Sequence, residues 1–203
     1  MKAILRGFFA LIIFTLVAVV PIVYFRYAYT FSKRLREVVP GVLYRSGQLT
    51  APGFIDAIKR LGIRTVINAQ DEFPNPQVAA GFFTWETVPE EELCRQLGVR
   101  YVHLPPRLLS PNEVESRRPE AIDQFLAIMD DPANYPVLLH CRAGLHRTGV
   151  LSAVFRMEYQ GWPHKEALDE LRALGFGELA CTSANEYVTQ YVLSYRPGER
   201  RPY

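Results

Sequence analysis

Only three cysteines, Cys94, Cys141 and Cys181, occur in the 203 residues. Three cysteines so widely spaced form no disulfide framework, which excludes the stapled secreted scaffolds. The chain also has no internal repeat and no low-complexity tract, which excludes solenoids and disordered arrays. Acidic residues are missing from the first 36 positions, which hold six Lys/Arg. Taking those six from the chain's 23 leaves 17 basic against 21 acidic residues, a net of −4 for the remainder against +2 for the whole. The domain therefore has no basic surplus of the kind that nucleic-acid binding needs, and no nucleic-acid partner is expected. The basic arm suits anionic lipid headgroups instead.

What the arm does contain is apolar length. From Gly7 to Phe25 the sequence runs 19 residues without a charge, close to the roughly 20 that cross a bilayer as a helix. A cleaved signal peptide would have a shorter apolar run and small residues after it. Here Tyr24, Phe25, Tyr27 and Tyr29 follow, which suits an interfacial aromatic belt. The expected organisation is a signal anchor with one transmembrane helix and a basic juxtamembrane arm over residues 1–36. A catalytic-type domain over 37–196 and a short tail over 197–203 complete it. Four basic residues (Arg26, Lys33, Arg34, Arg36) follow the helix against two (Lys2, Arg6) before it, which favours a cytoplasmic domain. A short basic N-terminus ahead of a first helix argues for export, so charge alone leaves both sides open. A reactive thiol survives better in a reducing compartment, so the domain is expected on the cytoplasmic side.

Beyond Val38, short apolar runs alternate with amphipathic stretches. Strands are expected at 42–46, 65–68, 99–103 and 137–140, and helices at 51–61, 90–97, 119–129, 150–157, 165–174 and 186–195. Pro52 suits an early helical position and Gly62 a C-terminal cap. Ile122, Phe125, Leu126 and Met129 recur at helical spacing. Such alternation predicts an α/β fold with a largely parallel central sheet flanked by helices on both faces. Residues 70–89 are the least regular, either a loop near a site mouth or a surface excursion.

The most informative stretch is His140-Cys141-Arg142-Ala143-Gly144-Leu145-His146-Arg147-Thr148-Gly149. A buried strand runs into a tight glycine-containing loop that opens a helix. That arrangement gathers backbone N–H groups and the positive end of a helix dipole at one point, which suits a phosphate. It also favours the thiolate form of a cysteine placed there. Arg147 supplies a planar fork that can hold two phosphate oxygens, which Lys cannot. The competing reading, an inert buried Cys at a strand end, does not explain the surrounding residues.

His-Cys-x5-Arg-Thr-Gly resembles the signature loop of the cysteine-dependent protein tyrosine phosphatases, in their compact dual-specificity branch. Tyr44-Arg45-Ser46-Gly47-Gln48 and Leu61-Gly62-Ile63-Arg64-Thr65-Val66-Ile67-Asn68 resemble the entry to the atypical dual-specificity phosphatases. The resemblance implies that Cys141 attacks phosphorus, that Arg147 binds the equatorial oxygens, and that His140 orients and tunes the thiolate. It implies further that Thr148 donates a hydroxyl to the departing sulfur, and that Arg142, Ala143, Gly144, Leu145, His146 and Arg147 form the phosphate loop. No cofactor or metal is implied. Arg45 otherwise reads as a solvated strand-end charge, and Gln48 as a cap or turn residue.

One part of the family pattern is missing. The resemblance calls for an Asp general acid on a loop after the strand ending near His103, and 103–115 contains none. Glu113 is the best substitute, with Glu115 next, although both also fit the first turn of a helix. His146 is a further candidate, or else a residue of the loop rim. The expected function is a membrane-anchored phosphatase acting on phosphotyrosine and phosphoserine/threonine of proteins. The alternatives are phosphoinositides or inositol poly- or pyrophosphates, or a non-catalytic phosphate reader. A rhodanese-like sulfurtransferase also uses a loop cysteine, but Arg147-Thr148-Gly149 argues against it.

Overall fold

The computed structural model describes residues 2–114, 116–177 and 182–199. Cys181, Glu115 and residues 200–203 of the expected tail lie outside them. The strands are β1 (Arg36–Val39), β2 (Leu43–Gly47), β3 (Thr65–Asn68), β4 (Gln77–Ala79), β5 (Thr87–Pro89), β6 (Arg100–His103) and β7 (Val137–Cys141). The helices are α1 (Lys2–Phe14), α2 (Val20–Arg26), α3 (Ala51–Leu61), α4 (Glu90–Gln96), α5 (Glu120–Met129), α6 (His146–Gln160), α7 (His164–Ala173) and α8 (Thr182–Val188).

The main sheet has the order β1-β2-β7-β3-β6. β7 lies parallel between β2 and β3, and β6 extends β3 in parallel. Only β1, which the apolar pattern did not signal, runs antiparallel. A parallel strand covered on both faces reads as a continuous apolar run, and every residue of β7 is buried. Alternation along β7 then sorts its side chains between two cores. Val137, Leu139 and Cys141 join the cluster containing Phe125, Leu126, Met129 and Val154. Leu138 joins the cluster of Phe54, Ile58, Leu93 and Cys94 on the other face.

α3 shows how local chemistry sets the boundaries. The Thr50 side chain caps the first turn by accepting from Gly53 N, and Gly62 ends the helix in the left-handed region at φ 64°. Residues 70–89, expected to be irregular, form a small hairpin. β4 pairs with β5, Val78 is buried beneath it, and Phe83 and Trp85 stand exposed between the strands.

At the front, α1 and α2 continue through π-helical turns as one helix, Ile4–Phe31, long and apolar enough to cross a membrane. None of its most apolar window is buried. The segment that follows is not a free arm. Thr50 N donates to Thr30 O and Gly47 N to Lys33 O, at 3.1 and 2.8 Å. A Cβ on Gly53 would stand 2.3 Å from Phe31 O, so the helix end presses on α3 where only glycine leaves room. Arg26 donates to Phe82 O and lies over the Phe83 ring, tying the helix to the β4–β5 hairpin.

Candidate active site

β7 delivers Cys141 to the edge of its core, and the chain turns through 142–145 into α6. Gly144 makes the turn possible. Its φ is +74°, and a Cβ there would lie 2.5 Å from Gly47 N and 2.7 Å from Ser46 C, both backbone atoms. Three successive loop carbonyls are held by groups outside the loop. Gln48 N donates to Arg142 O at 3.2 Å, Arg34 Nη1 to Ala143 O at 3.0 Å, and Arg45 Nη2 to Gly144 O at 3.0 Å. Carbonyls held in this way leave the loop amides free to converge, and Gly144 N donates to Cys141 Sγ at 3.2 Å.

Arg45 therefore departs from the solvated strand-end reading. It is 4% exposed, and burial pushes its guanidinium down to about 10, partly offset by the charge of Cys141. Gln48 is neither cap nor turn residue: its Nε2 donates to Gln77 O at the start of β4.

His140 points to the opposite face from Cys141 and is fully buried. Its Nε2 lies 2.7 Å from Glu90 Oε1. Asn68 Nδ2 donates to the other carboxylate oxygen of Glu90 at 3.0 Å and also meets Tyr101 OH at 3.2 Å. Phe54 packs edge-on against the imidazole. The side chain preceding the nucleophile is thus clamped by α3, α4, β3 and β6. Thr148 is also fully buried, and its Oγ1 has no hydrogen-bond partner among the described residues, so its proton is free to be donated.

Arg147 turns toward the 70–89 excursion. Nη2 pairs with Asp71 Oδ1 at 2.5 Å and Nη1 with Glu72 Oε1 at 2.8 Å. Tyr187 from α8 approaches Nε and donates to Asp71 Oδ2. Burial opposes the Arg147 charge, but the bonds to Glu72 and Tyr187 and the charges of Asp71 and Glu72 outweigh it and raise its pKa. Asp71, Glu72, Tyr187 and Glu90 were not picked out from the sequence. The single signal was the placing of 70–89 near a site mouth.

A cavity of about 470 Å³ opens over the loop, and Cys141, Arg142, Ala143, His146, Arg147, Glu72 and Tyr187 line it. Lys33 and Arg34, from the expected juxtamembrane arm, line it too. His146 packs edge-on against Phe176, and burial followed by the Arg147 charge lowers its pKa. It is a rim residue. Leu145 is buried beneath the loop.

Glu113 is not brought to this cavity. It lines a separate one with His103, Arg107 and Arg117. Its carboxylate accepts from Ser110 Oγ at 2.7 Å and pairs with Arg117 at 2.5 Å. The bonds from Ser110 and the Arg117 charge lower its pKa, the opposite of what a proton donor needs. Among the described residues, no group of His, Cys, Asp and Glu has the arrangement of a metal site.

A sequence profile of the tyrosine phosphatase family matches residues 31–196. The OCA1 protein of Mycosarcoma maydis is 34% identical over 135 residues, 66% of this chain and 76% of its own length. The inositol diphosphatase DSP3 of Arabidopsis thaliana is 29% identical over 134 residues, 66% of this chain and 59% of its own length. The dual specificity protein phosphatase TpbA of Pseudomonas aeruginosa is 46% identical over 43 residues, about a fifth of either chain. Two crystal structures share the fold. TpbA has a TM-score of 0.58 at 24% identity, covering 81% of this chain and 86% of its own. The catalytic core of the Saccharomyces cerevisiae phosphatase SIW14 has a TM-score of 0.57 at 23% identity, covering 78% and 85%. With its signature loop folded over Cys141 and its profile match running from the helix end to Arg196, the chain belongs to the tyrosine phosphatase family, within the cysteine-dependent tyrosine and dual-specificity phosphatases.

Proposed function

We propose that the protein is a membrane-anchored phosphatase that hydrolyses phosphomonoesters through a cysteinyl-phosphate intermediate. The observation that carries this reading is the sulfur of Cys141, which accepts the Gly144 amide inside a loop whose carbonyls are held outward. In the first step Cys141 Sγ attacks phosphorus and the S–P bond forms as the P–O bond to the leaving group breaks. The loop amides and Arg147 bind the equatorial oxygens, with Asp71 and Glu72 holding the guanidinium in place. In the second step water attacks phosphorus, the S–P bond breaks, and the free Thr148 hydroxyl donates to the departing thiolate. The apolar helix supports attachment to a bilayer, and the better survival of a thiolate nucleophile in a reducing compartment supports a cytoplasmic site.

Two substrate classes follow. Phosphoproteins suit a dual-specificity loop, and TpbA carries that activity in its name. Inositol poly- or pyrophosphates and inositol lipids form the second class. Lys33, Arg34 and Arg142 line the cavity, and none of them has an acidic partner among the described residues. Glu113 lies apart from the cavity, which suits a leaving group needing little protonation, such as a phosphoanhydride.

The decisive experiment compares the full chain in detergent micelles with Cys141→Ser on an aryl phosphate, inositol hexakisphosphate and phosphoinositide vesicles. Wild-type turnover abolished in the variant is expected. Equal inactivity on all three would reduce the protein to a phosphate reader.

A further inference from the structure

Lys33 and Arg34 sit between the N-terminal helix and β1, yet both side chains reach the catalytic cavity. Arg34 has φ 55°, the one non-glycine residue with positive φ among the described residues. A residue with a Cβ adopts that conformation at a cost, and such conformations recur where function requires them. Here it belongs to a tight turn, with Leu35 N donating to Ser32 O at 2.6 Å. From that turn the guanidinium spans to the phosphate loop and donates to Ala143 O. The Lys33 stem packs over Gly47, where a Cβ would stand 2.8 Å from its Cδ. Its backbone carbonyl is held by Gly47 N. Both cations are therefore positioned by the fold rather than trailing in solvent.

Their charges are uncompensated. No ion pair forms at Lys33, Arg34 or Arg142 among the described residues, while the two nearby acids, Asp71 and Glu72, are engaged by Arg147. Burial, followed by the like charge of Arg34, holds the Lys33 ammonium below its ordinary value, against an opposing pull from Cys141 and with a smaller push from Arg142. A single transferred phosphate is already served by the loop amides and Arg147. Three further cations on one wall match negative charge that the reacting phosphate does not carry.

We propose that Lys33 and Arg34, with Arg142 beside them, form a subsite for a second phosphate group on the substrate. The ligand class is a multiply phosphorylated polyol, either free or as the headgroup of an inositol lipid. This proposal rests on the phosphatase reading for turnover, and on binding alone for the subsite. The turn that carries both cations is continuous with the N-terminal helix, so the same short segment that leads out of the helix completes the specificity wall.

The test uses the full chain in detergent micelles and the substitution Lys33→Gln, which keeps much of the stem, removes the charge and leaves the Arg34 bond to Ala143 O in place. Exposed Lys59→Gln on α3 is the control. Each lost cation–phosphate contact is worth on the order of tenfold in affinity. The variant should therefore lose about tenfold in kcat/KM on inositol hexakisphosphate or on vesicles of phosphatidylcholine with a bisphosphorylated phosphatidylinositol. The same variant should lose no more than about threefold on an aryl phosphate, whose single phosphate does not reach the subsite. The substrate showing the selective loss identifies the source of the headgroup.

Equal losses on all substrates would mean that Lys33 only supports the loop, and no loss on any would mean that the wall binds nothing. Either result overturns the proposal. A wild type inert on every substrate would refute the phosphatase reading separately. Calorimetric binding to Cys141→Ser then still decides the subsite. Inositol hexakisphosphate must bind about tenfold more weakly when the Lys33 charge is removed, with inorganic phosphate changing far less.

Discussion

Replacing Gly144 by Ala tests whether the loop is built on a backbone contact rather than on its side chains alone. Two costs add at this position. The first is conformational: φ is +74°, where a Cβ costs about 1–2 kcal/mol. The second is steric: the new Cβ would fall 2.5 Å from Gly47 N, 2.7 Å from Ser46 C and 2.8 Å from Ser46 O. All three are backbone atoms of β2 or its end, which cannot swing aside as a side chain can. Overpacking of that kind costs about 1–3 kcal/mol. Gly62→Ala provides the control, because Gly62 has φ +64° and nothing within 4 Å of its built Cβ. The two variants share the first cost, and only Gly144→Ala bears the second. For a chain of this size a kilocalorie shifts Tm by roughly 2–4 °C. Gly62→Ala should then fall by about 2–8 °C and Gly144→Ala by about 4–20 °C, followed by near-ultraviolet circular dichroism in micelles. Only Gly144→Ala should also lose aryl phosphate turnover, by about 100-fold or more, since moving the loop carries the amide away from Cys141. Equal Tm shifts in the two variants, with turnover retained, would refute the claim that β2 and the loop are locked by this contact.

Glu90→Gln replaces a fully buried carboxylate that accepts from Asn68 and meets His140 Nε2. The amide can keep both contacts only by donating to Nε2, which moves the ring proton to the unpartnered Nδ1, with a loss of about 1–3 kcal/mol in stability and about tenfold or more in kcat. Wild-type values for both in a urea titration and a turnover assay would show that the His140 clamp carries nothing. His146 has a lowered pKa from burial and Arg147, so the unfolded chain takes up its proton first. Its contribution is intact above its unfolded pKa of roughly 6.5 and is lost as pH falls below it. His146→Phe retains an aromatic edge toward Phe176, and the difference in Tm from wild type should vanish or reverse between pH 8 and pH 5. A difference independent of pH would contradict that assignment.

The alternation of apolar runs placed the parallel strands and most helices within a few residues, because burial on both faces leaves a plain apolar signature in β7 and β3. β1 was invisible. It is an edge strand of four residues, half of them exposed, and its pairing rather than its composition makes it a strand. The hairpin at 77–89 was hidden for the same reason: strands of three residues show no period. Arg45 looked like a strand-end charge because nothing local reveals that its fork meets a carbonyl 99 residues further along.

Sequence alone picked out Cys141, Arg147, the strand–loop–helix that presents them and the apolar helix in front, since each is written in residues close together along the chain. Tertiary structure alone decided what surrounds them. Asp71 and Glu72 hold Arg147, Glu90 holds His140, and Lys33 and Arg34 extend the cavity wall, while Glu113 stands over another cavity. These are contacts across parallel strands and between the chain's ends, where charge pairing and packing depend on distance in space and leave no spacing in the sequence to read.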